Sequence, residues 1–149
     1  MGVRVCVSTC TAILGLAGPA AADLDSPAGL WKTIDDKSGK ERALVRIVNN
    51  NGAFEGRVEK IFDRPGDDLE HLCRRCDGER KNKPIIGMTF MWGLKKNGDQ
   101  YDGGEILDPN IGIIYRGRLR LKDGGRKLEV RGYIGLSLFG RSQTWLRQE

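Results

Sequence analysis

The sequence predicts an all-β fold: an antiparallel up-and-down barrel of about eight strands, with one long loop over residues 63–84. Three observations carry this expectation. Short segments in which apolar and polar residues alternate recur along the chain, as half-buried strands require. Clusters of Gly, Asn, Asp and Pro separate these segments at roughly 8–12-residue intervals. No segment shows the apolar stripe of an amphipathic helix.

Residues 1–22 stand apart. Arg4 is the only charge before Asp23, Val5 to Ala17 is apolar or weakly polar, and Pro19 precedes Ala20-Ala21-Ala22. A basic start, an apolar run and small residues at the end predict a cleaved secretory signal peptide. The run is shorter than the roughly 20 residues of a spanning helix, and no later stretch is a candidate. The expectation is therefore a single barrel domain over residues 23–149, periplasmic or secreted, with no membrane span after cleavage. Of the 25 Lys and Arg and 20 Asp and Glu, the leader removes only Arg4, leaving 24 against 20, or +4. Acids and bases are interspersed along the chain, which favours a solvated surface over an anionic partner.

The strands follow in order. Gly29 to Ile34 opens the domain, and Asp35 to Lys40 turns. Glu41 to Val48 sets Ala43, Val45 and Ile47 on one face. Asn51-Gly52 supplies the positive φ angles of a tight hairpin. Ala53 to Phe62 then alternates Phe54, Gly56 and Val58 with Glu55, Arg57 and Glu59. Residues 63–84 have no apolar period, and a loop this long in a small domain needs a function or a local ordering device. Ile85 to Leu94 is a nearly continuous apolar run, read as a buried strand. Gln100 to Leu107 is a strand interrupted by glycine. Asp108-Pro109-Asn110 turns, and Ile113 to Lys122 alternates with Ile113, Tyr115, Gly117, Leu119 and Leu121 inward. Lys127 to Arg147 reads as two strands joined by a short glycine-bounded crossing, closing the sheet. Consecutive hairpins favour a meander, and eight closed strands hold packed side chains or one small ligand.

Several separated motifs carry a resemblance. They are Gly29-Leu30-Trp31, Cys73-x-x-Cys76-x-Gly78, Gly87 to Gly93 and Gly103-Gly104-x-Ile106-x-Asp108-Pro109. Val130-Arg131-Gly132-Tyr133 and Gly140-Arg141-x-Gln143-Thr144-Trp145 complete the set. Together, over residues 28–147, they resemble the bacterial family DUF2147. The resemblance implies an exported, lipocalin-like (calycin-like) barrel with no established biochemical role. Gly-x-Trp on the first strand is also similar to lipocalins, in which that Trp packs at the closed end beneath an Arg of the last strand. Arg141 and Arg147 are the candidates for that barrel-closing role with Trp31.

The chemistry-bearing residues are few. Cys73 and Cys76 in an oxidising compartment most simply form a disulfide tying their own loop. A zinc site would need His71 and an Asp from 67, 68 or 77 as further ligands, and a redox role would use Arg74 and Arg75 as thiolate partners. His71 is the only imidazole and no nucleophile elbow exists, so no catalytic residue, metal or cofactor is expected. Glu105 and Asp108 read as a solvated residue and a turn cap. The row Arg116, Arg118 and Arg120 lacks stacking aromatics beside it, so nucleic acid is not expected. The interior remains. Trp31, Phe54, Phe90, Trp92, Tyr115 and Phe139 are the candidate lining of a cavity for a small lipophilic ligand. The alternative is a filled barrel that acts through its surface as a structural or interaction protein of the envelope.

Overall fold

In the computed structural model, residues 21–136 and 138–149 are described, together with Gly2, Gly15 and Gly18. The leader expected over residues 1–22 falls almost wholly outside them. Eight strands form a closed barrel in chain order: β1 (Gly29–Ile34), β2 (Glu41–Asn50), β3 (Ala53–Ile61), β4 (Thr89–Asn97), β5 (Gln100–Asp108), β6 (Ile113–Lys122), β7 (Lys127–Tyr133) and β8 (Gly140–Arg147). Each neighbouring pair is antiparallel, and β8 returns to β1.

The alternation places the core. Val45, Ile47, Phe54, Val58, Leu119, Leu128 and Val130 are buried, while their immediate neighbours along each strand are less so. The hairpin chemistry is as expected at Asn51 (φ 53°) and Gly52 (φ 88°), both left-handed between β2 and β3. Gly104 sits where β4 and β5 press together: a Cβ there would lie 2.2 Å from the Trp92 carbonyl oxygen.

One strand expectation is corrected. Residues 85–88 do not belong to β4, which begins at Thr89. The Ile85 amide donates to the His71 carbonyl at 2.7 Å, and Gly87, at φ 88°, donates to the Val58 carbonyl. The apolar run therefore splits between a loop anchor and a strand.

The barrel has two unlike ends. At one end, residues 23–28 run across the base. The Tyr101 hydroxyl lies 3.4 Å from the Asp25 carbonyl, and a Cβ on Gly125 would lie 2.0 Å from the Leu24 carbonyl. At the other end stand the β1–β2 turn, the long β3–β4 loop, the β5–β6 turn and the β7–β8 connection.

The long loop is ordered by several devices. Cys73 and Cys76 are joined by a disulfide and are buried in the core. Leu72 bridges to Pro84, and the Cys73 amide donates to the Lys83 carbonyl at 2.8 Å. Residues 78–80 make one 3₁₀ turn. The loop backbone also lies hard against the β5–β6 turn, where a Cβ on Gly112 would meet the Arg75 carbonyl at 1.9 Å.

The seam between β1 and β8 is short. Only Trp31–Arg147 and Lys32–Leu146 are in register, against seven paired positions between β7 and β8. Towards the mouth the two strands part. The gap is bridged at the rim by Arg141, which donates Nε to Asp36 Oδ2 at 2.5 Å and a second hydrogen bond to Oδ1.

Candidate functional site: the barrel cavity

The interior is filled at the closed end and hollow towards the mouth. Alternation on β8 aims Arg141, Gln143, Trp145 and Arg147 at the same side. They form a graded series from rim to base.

The base is solid. Trp31 is fully buried and donates its indole N–H to the Pro27 carbonyl at 2.8 Å. The Arg147 guanidinium stacks on the Trp31 ring, 4.2 Å from its centroid. It also donates to the carbonyls of Ser26 (2.6 Å), Gly125 (2.7 Å) and Ala28 (2.9 Å). Burial pulls its pKa below the ordinary value, and the three carbonyls and the ring replace the water it has lost. Phe54 packs edge-on against Tyr101, with ring centroids 5.0 Å apart.

Above this base lies a cavity of about 610 Å³. Val45, Val58, Phe90, Ile106, Leu107, Val130 and Trp145 give it apolar walls, together with Ala43, Ile61 and Tyr115. Phe90 and Trp145 pack against each other in its wall, with ring centroids 6.2 Å apart. Polar groups inside are sparse: Thr33, and Gln143, whose side-chain oxygen accepts from the Trp145 indole at 3.0 Å.

The mouth is polar. Arg42, Asp67, Asp68, His71, Arg74, Arg75, Asp108 and Arg141 line it. Most are paired. Arg42 Nη1 donates to Asp67 Oδ2 at 2.6 Å, and this hydrogen bond holds the Asp67 carboxyl below the usual carboxylate range. Arg74 does the same for Asp68, as Arg141 does for Asp36. His71 Nε2 lies 2.8 Å from Asp63 Oδ1. It therefore faces a carboxylate, and among the described residues no three metal-ligating side chains converge.

The six aromatics expected to line the interior thus divide. Phe90 and Tyr115 border the cavity. Trp31 and Phe54 are buried in the base beneath it. Trp92 points outward: its indole donates to Glu105 Oε2 at 3.0 Å, and Arg80 of the long loop covers its ring. Phe139 is 71% exposed in the β7–β8 connection and lines nothing. Of the two barrel-closing candidates, Arg147 stacks on Trp31, and Arg141 sits at the opposite end. Sequence reasoning missed Trp145, Ile106, Leu107 and Val130 as cavity walls. Alternation along β8 and β7 was the signal that would have found two of them.

A closed meander of eight strands, sealed below by a Trp–Arg stack and hollow above, defines a lipocalin-like barrel. The chain belongs to the bacterial family DUF2147, described as uncharacterized protein conserved in bacteria, whose model matches residues 29–147. A similar solved structure is that of protein HP1028 from the human pathogen Helicobacter pylori, described as belonging to the lipocalin family. It is 22% identical, with 82% of each chain covered and a TM-score of 0.69, a likeness of fold. No curated protein matches this sequence. Among the described residues no helix is long and apolar enough to cross a membrane.

Proposed function

We propose that this protein is a non-catalytic, exported carrier that holds one small lipophilic molecule in its barrel. The observation that supports this reading most is the cavity itself. Its volume of about 610 Å³ falls inside the range of roughly 300–1,000 Å³ of ligand sites. Its walls are apolar and its rim is charged. Such a gradient suits an amphipathic guest whose hydrocarbon part descends towards Trp145 while its polar end stays near Gln143, Arg141 and Arg42. Arg141 and Arg42 are already engaged by Asp36 and Asp67, so a neutral or weakly acidic polar end fits better than a strongly anionic one. The buried disulfide supports export, because such bonds persist in oxidising compartments.

Native mass spectrometry of the purified protein, repeated after denaturation, tests the reading. The expected result is a bound mass of lipid character released on denaturation. Ala43→Phe, which projects a ring into the upper cavity, is expected to reduce that occupancy without unfolding the barrel. A bare polypeptide that also fails to take up any lipophilic dye overturns the carrier reading in favour of a protein acting through its surface.

A further inference from the structure

Seven large apolar side chains crowd one sector of the mouth. Ile111, Ile113 and Ile114 protrude where β5 turns into β6. Ile134, Leu136, Leu138 and Phe139 protrude from the β7–β8 connection, each between 59 and 81% exposed. The two groups are neighbours, because β6 and β7 pair as far as Arg116–Tyr133, directly below both loops. The connection is structured: the Phe139 amide donates to the Leu136 carbonyl at 3.0 Å, and Arg131 Nη2 reaches the Leu138 carbonyl at 3.4 Å.

Cations stand on the same side, behind the apolar tip, on the outward face of β6. Arg116 and Arg118 point outward from β6, about 7 and 13 Å along the strand from Ile114 at 3.3 Å per residue. An apolar tip with cations just behind it matches an anionic lipid surface: the tip reaches the headgroup–acyl boundary while the arginines stay among phosphates. A second copy of the chain fits less well, since a two-fold contact through this edge would set the β6 arginine row against itself.

We propose that the β5–β6 turn and the β7–β8 connection form a docking edge for anionic bilayers, bringing the cavity mouth to the lipid surface. Uptake of cargo from that surface rests on the carrier reading; docking itself does not.

Co-sedimentation with vesicles of phosphatidylglycerol and phosphatidylethanolamine, and with phosphatidylcholine alone, tests it. The expected result is binding to the anionic vesicles that weakens roughly tenfold on phosphatidylcholine or in high salt. The triple variant Leu136→Ser, Leu138→Ser, Phe139→Ser is expected to lose that binding and to retain its fold and any cargo, because the replaced side chains are in solvent. The pair Arg116→Glu, Arg118→Glu is expected to weaken binding on anionic vesicles alone. Failure to bind either vesicle, binding indifferent to the triple variant, or a dimer that the triple variant dissociates would each overturn the proposal. Docking by a barrel that carries no cargo supports the edge and sinks only the carrier reading.

Discussion

Arg147 lies over Trp31 with its guanidinium carbon 4.2 Å from the ring centroid, so the last residue of β8 roofs the tryptophan of β1. The contact joins the two strands at the base of the seam, where they share only two registered pairs. Removing Arg147 takes away a stacked cation and leaves three carbonyls at the barrel base without their donor.

Arg147→Ala is expected to destabilise the barrel by about 3 kcal/mol, the scale of orphaning several buried acceptors. Arg147→Lys is expected to recover only part of this, since an ammonium has neither the planar fork nor the stacking face. Urea denaturation midpoints check both. Equal stability of the lysine variant and the parent would show that charge alone matters here.

The long loop is tied to β2 by Arg42 and Asp67, and its hold on the mouth should depend on pH. Asp67 has its pKa lowered in the folded protein, first by the Arg42 hydrogen bond. The stabilisation is therefore complete above the unfolded value near 3.8 and is lost as pH falls through the folded one. Hydrogen exchange at the Cys73 and Ile85 amides, which anchor the loop, should rise in acid more steeply than at amides in β7. Asp67→Asn should show the loosened behaviour already at neutral pH.

Gly104 and Gly98 separate two kinds of glycine. At Gly104 an added Cβ collides with backbone of β4, so Gly104→Ala is expected to cost about 3 kcal/mol, the upper end for overpacking. Gly98 has open space around it and φ 64°, so Gly98→Ala is expected to cost only about 1 kcal/mol. Thermal unfolding of the two variants side by side gives the comparison.

Reduction of the Cys73–Cys76 bond is expected to lower stability by about 2 kcal/mol at most, because the closed loop is so small. The far-UV spectrum should be unchanged, and proteolytic sensitivity should increase within residues 63–84 rather than in the strands. Loss of the barrel on reduction would contradict this assignment of the disulfide to local ordering.

Much of this architecture was legible because the physics behind it is local. The two-residue period, the Asn51-Gly52 hairpin and the paired strands of residues 127–147 each depend on near neighbours. What failed depended on register. Irregular pairing at Gly56, where β3 meets β4, disturbs the inward–outward parity, so that Phe90 and Met91 are both buried and Trp92 faces out. Phe139 escapes a sequence reading because its segment is as apolar as a core strand, yet it crosses between strand ends where no wall stands behind it. The run from Ile85 reads as continuous because nothing in its composition reveals that residues 85 and 87 donate to the carbonyls of His71 and Val58. The cavity's floor was signalled by Gly-x-Trp; its position in the mouth half required the fold.

The narrow β1–β8 seam has a consequence for how the molecule is made. Its pairs join residue 31 to residue 147, almost the full span of the domain. Every other strand pair can zip as a hairpin between sequence neighbours, but the ring cannot shut until the final strand is present, and such distant pairings form late. Until that moment the nascent sheet is an open, curling ribbon with two bare edges and a greasy inner surface. That interval is the chain's greatest hazard of sticking to its own kind, and it ends only when residue 147 arrives to shut the ring.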